Sequence, residues 1–227
     1  MNATEKKEIL SFLKKIGVDT RFVSVMPPEI LINNLRFSKF SRTREELFIK
    51  NYPELRVIRS NIFQKICSRS SKVLGDSLKP REKVMINKSN NPCDMALSAI
   101  LEPYSRKYGI EIIEREFDLK KLENITEDFN VVALPLTLDQ EVENVLDQIF
   151  NGKKVELESS LHNLHRVKII YPLLNIPQEW ICYWLDQQNC SENELNELAH
   201  DFLTYLEGVV PQVRENILKS ARFVAEE

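Results

Sequence analysis

Lys83–Ile113 reads KVMINKSNNPCDMALSAILEPYSRKYGIEII, and the fold turns on how this stretch is parsed. Lys83 to Asn87 has the look of a short strand with Val84 and Ile86 as its buried residues. The polar run Lys88-Ser89-Asn90-Asn91-Pro92-Cys93-Asp94 makes a tight turn. After it Met95, Ala96, Ala99, Ile100 and Tyr104 recur at helical spacing, and Gly109 closes the helix before an apolar strand, Ile110 to Ile113. Strand, turn, helix, strand is a crossover unit of a parallel sheet. In such a unit the turn sits at the carboxyl end of the strand and the amino end of the helix, where free amides and the helix dipole favour an anion.

Downstream the same alternation continues. Val131 to Leu134 reads as a third strand, Glu141 to Phe150 as a helix ended by Gly152, and Val167 to Ile170 as a fourth strand. Pro177 opens a helix over Gln178 to Gln188. A helix capped by Ser191 and Glu194 runs to about Glu207, and a last one ends near Val224. A short helix is expected over Asp118 to Asn124. Upstream, Thr4 to Ile16 is an amphipathic helix stopped by Gly17, and Phe22 to Met26 a brief strand. Pro27 and Pro28 suit the first turn of a helix carrying Ile30, Leu31 and Leu35. Thr43 and Glu46 form a capping box, and a long helix covers Arg56 to Leu74. The expected architecture is α/β: a parallel sheet of four or five strands between helices over 81–227, preceded by a mostly helical, basic region over 1–80. Gly75 to Pro80, where Gly, Ser and Pro cluster, marks the boundary.

With 227 residues, 43% hydrophobic and 29% charged, the chain can bury an ordinary core. It contains no run of eighteen apolar residues, and Met1 to Ile9 is too charged for a signal peptide, so a cytoplasmic protein without a membrane span is expected. Cys67, Cys93, Cys182 and Cys190 include no C-x-x-C pair, which points to free thiols and away from zinc or an iron–sulfur cluster. His162 and His165, three apart, read as part of a polar loop. The net charge of −3 hides an asymmetry: Arg36 to Lys83 holds thirteen Lys or Arg against five Asp or Glu. Such a surface attracts nucleic acid. Arg42, Arg44, Lys50, Arg56, Arg59, Lys65 and Arg69, interleaved with Phe37, Phe40 and Phe48, are the candidate RNA contacts. The competing reading is a solvated face whose acid partners lie on the second half of the chain or on another subunit, including a second copy.

Four segments in order resemble the PP-loop ATP pyrophosphatase superfamily, and within it the tRNA 2-thiolation proteins. Lys83–Ile113 is similar to the family's first strand, phosphate loop and helix, with its S-G-G-x-D-S loop falling on Ser89-Asn90-Asn91-Pro92-Cys93-Asp94, the loop Asp on Cys93 or, with one residue inserted, on Asp94. LPLTLDQEVENVLDQIFNGK (134–153) looks like its G-H-N-x-D-D helix, Asp139 matching the first Asp. RVKIIYPLLNIPQEWICYWL (166–185) is similar to its Arg-Pro-Leu strand and helix, and HDFLTYLEGVVPQVRENILKSAR (200–222) to the closing helices. The resemblance implies a PP-loop fold, ATP and magnesium, and adenylation of a nucleobase oxygen that sulfur then displaces. Ser89, Asn90, Asn91, Cys93 and Asp94 would hold phosphate, Asp139 would help place the metal, and Cys93, at a helix amino end, is a candidate nucleophile. The residues by themselves also read as a plain strand-to-helix turn, a helix-capping Asp139 and an inert thiol.

The departures are as informative. Asn90 and Asn91 stand where small glycines let amides close around pyrophosphate, Leu136 replaces the family's His, and Gln140 its second Asp. No cysteine lies between Cys93 and Cys182, where thiolation enzymes carry Cys-x-x-Cys. These substitutions lead to the expectation of a divergent, catalytically reduced relative that binds tRNA or a partner subunit. An active adenylating enzyme and a structural subunit are the alternatives.

Overall fold

The structure is a computed structural model that describes residues 3–117, 129–164, 167–186 and 197–225. The expected helices at Asp118 to Asn124 and after Ser191, together with His165, fall wholly or partly outside these. The main sheet comprises β4 (Lys83–Asn87), β5 (Glu111–Arg115), β6 (Val131–Ala133), β7 (Asn163–Leu164) and β8 (Val167–Ile170). Its order is β5-β4-β6-β8-β7, parallel throughout except for the short antiparallel edge strand β7. That is the predicted α/β sheet. Val84, Met85 and Ile86 are all essentially inaccessible, as a central parallel strand covered on both faces requires.

The two faces have different partners. Val84, Ile86, Val131, Ala133 and Ile170 join a core with α4 (Asn61–Ser77), α5 (Pro92–Leu101) and α8 (Gln178–Leu185). Ile169 and Tyr171 turn the other way, into a core with α7 (Leu138–Phe150), α9 (Glu197–Glu207) and α10 (Val213–Ala225). Helices thus cover both faces of the sheet. The carboxyl ends of β4, β6 and β8 lead into the amino ends of α5, α7 and α8 along one edge. Gly109, at φ +67, ends the short α6 (Tyr104–Lys107) before β5, a backbone turn that a residue without Cβ makes at least cost.

The N-terminal region is mostly helical, with α1 (Ala3–Lys15), α2 (Leu35–Ser38) and α3 (Arg42–Asn51), and it adds a small sheet. Here the expectation needs correction. Pro27 and Pro28 form the turn between β1 (Val23–Met26) and β2 (Glu29–Ile32), which pair antiparallel, and no helix starts there. The alternation of buried Ile30 and Ile32 across β2 wins over proline's preference for a first helical turn. Likewise Val57 and Ile58 belong to β3 (Arg56–Ile58), parallel to β2, and α4 begins only at Asn61, after the Ser60 cap. Helix α3 starts at Arg42 with Ser41 as its cap, ahead of the expected capping box at Thr43.

One buried cluster fastens this region to the main sheet. The Glu102 carboxylate accepts from both terminal nitrogens of Arg106 at 2.6 Å, from the Lys6 ammonium at 2.8 Å and from the Val25 amide at 3.1 Å. Arg106 also donates to the Thr20 and Val23 carbonyls. Burial alone would raise the Glu102 carboxyl, but Arg106 and Lys6 more than reverse this and hold it below the ordinary range.

Candidate functional site

The turn that resembles a phosphate loop lies where the sequence puts it, between β4 and α5. Asn91 caps α5, its Oδ1 accepting from the Cys93 amide at 2.8 Å, and Pro92 takes the first helical position, where it has no N–H to offer. The Met95 amide is already bonded to the Asn91 carbonyl. The centre of the turn is a carboxylate. Asp94 is 95% buried, and its Oδ2 accepts from Ser89 Oγ at 2.5 Å and from Asn87 Nδ2 at 3.1 Å, while Oδ1 has no partner. Ser89 Oγ in turn accepts from the Asn91 amide at 3.0 Å. Ser89, Asn91, Cys93 and Asp94 are therefore bonded to one another as one polar knot.

Asp139 comes to the same edge from α7. It is the second residue of that helix, and the capping is done by Thr137, whose hydroxyl accepts from the Gln140 amide while the Gln140 side chain accepts from Thr137 N–H. Gln140, the residue in place of the family's second Asp, thus has a structural post. Asp139 serves a neighbouring helix instead. Its Oδ2 accepts from the Gln178 amide of α8 at 2.5 Å, at an amino end where the N-cap, Pro177, has no capping side chain. Its Oδ1 lies 3.1 Å from Arg214 Nε of α10, an ion pair without hydrogen-bond alignment, and Arg214 also reaches Glu207 at 2.6 Å.

Cys93 is buried beside these carboxylates. Burial, then the charges of Asp94 and Asp139, push its thiol up to about 12, the opposite of what a nucleophile needs. Cys67 is raised as well, by burial. The expectation of four free thiols is corrected for Cys182, which is disulfide-bonded, whereas Cys67 and Cys93 are free. Among the described residues no group of three or more His, Cys, Asp or Glu could hold a metal ion. No helix there is long and apolar enough to cross a membrane.

The candidate RNA residues differ in their surroundings. Arg59 is largely buried, bonded to Glu45 and to the Phe40 carbonyl, and Arg42 meets the same Glu45. Arg56 pairs with Glu29 at 3.2 Å, and Lys50 is exposed near the end of α3. Lys65 and Arg69 stand over the Trp180 ring at 5.7 and 4.4 Å, and Arg69 further bonds the Asn175 carbonyl and pairs with Glu215 at 3.7 Å. Arg44 lies against Gly17 and donates to the Lys39 carbonyl. Part of the basic run is thus matched by acids of the same chain. A different group of cations, Lys14, Arg21 and Lys39, lines a cleft with Arg106 and was missed, because two of the three precede the basic run and nothing in the spacing joins them.

The edge where β4, β6 and β8 hand over to helix amino ends is the ligand-binding edge of an open, mostly parallel α/β sheet. No protein-family model matches the chain. The fold is similar to that of the U34-tRNA thiolase NcsA from Methanococcus maripaludis, solved with its 4Fe-4S cluster: TM-score 0.54, 17% identity, 78% of this chain and 84% of that one covered. A 100-residue stretch, 43% of this chain, is 27% identical to a probable sulfurtransferase of Methanocaldococcus jannaschii, and spans 29% of that protein's length. The likeness to the thiolase is one of fold, and the likeness to the sulfurtransferase covers less than half of this chain.

The neighbour corrects one expectation. The cysteine spacing predicts no iron–sulfur cluster, yet the thiolase that shares this fold carries one, so the fold is no argument against such a centre. Clusters are held by cysteine thiolates. Among the described residues the donors do not fit: the two free cysteines are buried, with thiols pushed away from the thiolate, and no three ligands converge.

Proposed function

We propose that this protein is a PP-loop relative of the tRNA thiolases in which ATP chemistry has been lost and tRNA binding kept. The observation that carries the loss is Asp94. A phosphate loop works by presenting unused amides and small residues to a polyanion. Here a carboxylate, held by Ser89 and Asn87, fills the turn; Pro92 has no N–H, the Asn91 and Cys93 amides are taken by the Ser89 and Asn91 side chains, and the Met95 amide is bonded into the helix. Incoming phosphate would meet negative charge and the Asn90 and Asn91 side chains. Asp139 is committed to Gln178 and Arg214, so the residue expected to place a metal has two structural duties already. The basic N-terminal surface supports the tRNA half of the reading.

Incubating the protein with radiolabelled ATP, magnesium and tRNA, and measuring pyrophosphate release, tests the loss of catalysis. The expected result is no release above the protein-free control, together with a salt-sensitive tRNA shift on a native gel. Pyrophosphate release that depends on tRNA would establish an active adenylating enzyme and end this reading.

A further inference from the structure

Between the end of α1 and the turn after α2 lies a cleft of about 430 Å³, lined by Lys14, Gly17, Asp19, Arg21, Lys39 and Arg106 among others. Arg106 is spent on Glu102, and Asp19 on Arg21, which it binds through both oxygens at 3.0 and 2.7 Å. The side chain of Arg21 and the charge of Lys39 hold the Asp19 carboxyl below its usual range. Among the described residues neither Lys14 nor Lys39 makes an ion pair within 4 Å, although Asp19 feels the charge of Lys39. Arg44 adds a third cation: its guanidinium lies where a Cβ on Gly17, itself at φ +83, would come within 2.9 Å.

Two features mark the cleft as more than a solvated surface. Lys39 sits in the left-handed region, φ +55, at a helix end where glycine is the ordinary occupant, so this lysine carries a backbone cost. Beside the cleft wall, Phe22 follows Arg21 directly and pairs with Phe37, ring centroids 5.3 Å apart. Lys107 lies 4.7 Å from the Phe22 ring, and Phe37 is 52% exposed with the Arg36 guanidinium 5.9 Å from its centroid. Arg44 also donates to the Lys39 carbonyl, which holds the two cations side by side. Clustered cations next to an exposed, braced aromatic are the elements that bind single-stranded nucleic acid, phosphates in the groove and a base on the ring.

We infer that this cleft binds a single-stranded segment of RNA, its phosphates on Lys14, Lys39 and Arg44 and one base stacked on Phe37. The inference rests on the proposed tRNA-binding role and gives it a location. The test is fluorescence anisotropy of the full chain with an unstructured twelve-nucleotide RNA, over a salt series, and tRNA gel shifts in parallel. Lys14→Ala combined with Lys39→Gly should weaken binding of both RNAs about tenfold and lower the salt slope by about 1.4, two phosphate contacts at about 0.7 each. Phe37→Ala should weaken the single strand at least about fivefold. Lys39→Gly should melt no lower than the parent, since glycine takes φ +55 without strain, so lost binding cannot be lost folding.

If tRNA binds but the double variant binds as the parent does, the cleft assignment is wrong and the tRNA-binding reading stands. If neither RNA binds, both fall. If Phe37→Ala is silent and polyglutamate competes as well as RNA, the cleft takes an acidic protein segment, and the RNA assignment is overturned.

Discussion

Replacing Arg106 by Ala is expected to cost about 3 kcal/mol of stability, since removing one partner strands a buried carboxylate. Glu102 is only 4% exposed, and Arg106 gives it two of its four hydrogen bonds or ion pairs while also holding the Thr20 and Val23 carbonyls. Lys6 remains to offset part of the loss. The pH dependence has a defined sign. Glu102 is held below its usual range in the folded state, so its contribution is complete above an unfolded carboxyl value of about 4.3 and is lost as pH falls through the folded one. Urea melts at a series of pH values should therefore show the gap between parent and Arg106→Ala widest near neutrality and narrowing below about pH 4. A constant gap would mean that Arg106 acts through its carbonyl contacts alone.

Asp139→Ala is the second large effect. A catalytic metal ligand can usually be removed with little harm to folding, but Asp139 bonds one helix amino end and pairs with a buried Arg214. Its loss should destabilise by about 3 kcal/mol, the range for breaking a buried ion pair, tempered because Glu207 still meets Arg214. Asp139→Asn keeps an acceptor for the Gln178 amide and should cost less, about 1–2 kcal/mol, the loss of the charge alone. Thermal melts of the two variants check this. Two variants as stable as the parent would return Asp139 to the list of metal ligands.

How far the sequence could be read depended on the range of the interaction. The crossover unit was legible because its strand, Asn-Pro turn, apolar helix and Gly109 are local signals that agree with one another. The Pro27-Pro28 turn was misread because proline fits both a hairpin and a first helical turn, and only the pairing of β1 with β2 decides. The position of the turn between β4 and α5 was legible, but not the bonding inside it. That Asp94 would bond Ser89 and Asn87, or that Asp139 would cap α8 from a helix nearly forty residues earlier, is tertiary geometry with no periodicity to betray it. The same holds for the basic residues. Composition counted the charge of Arg36 to Lys83, but could not say that Arg59 turns inward to Glu45 or that Lys14 and Lys39 meet across a cleft.

The proposed loss of ATP chemistry rests on the turn between β4 and α5, where the Asp94 carboxylate is bonded to Ser89 and Asn87. Calorimetric titration of the full chain with a non-hydrolysable ATP analogue and magnesium tests that directly. The predicted result is no binding stronger than about 1 mM, the level at which less than about 4 kcal/mol is recovered. Saturable micromolar binding that is lost when the Ser89–Asp94 turn is altered would contradict it, and would mean that the turn opens to accept the nucleotide.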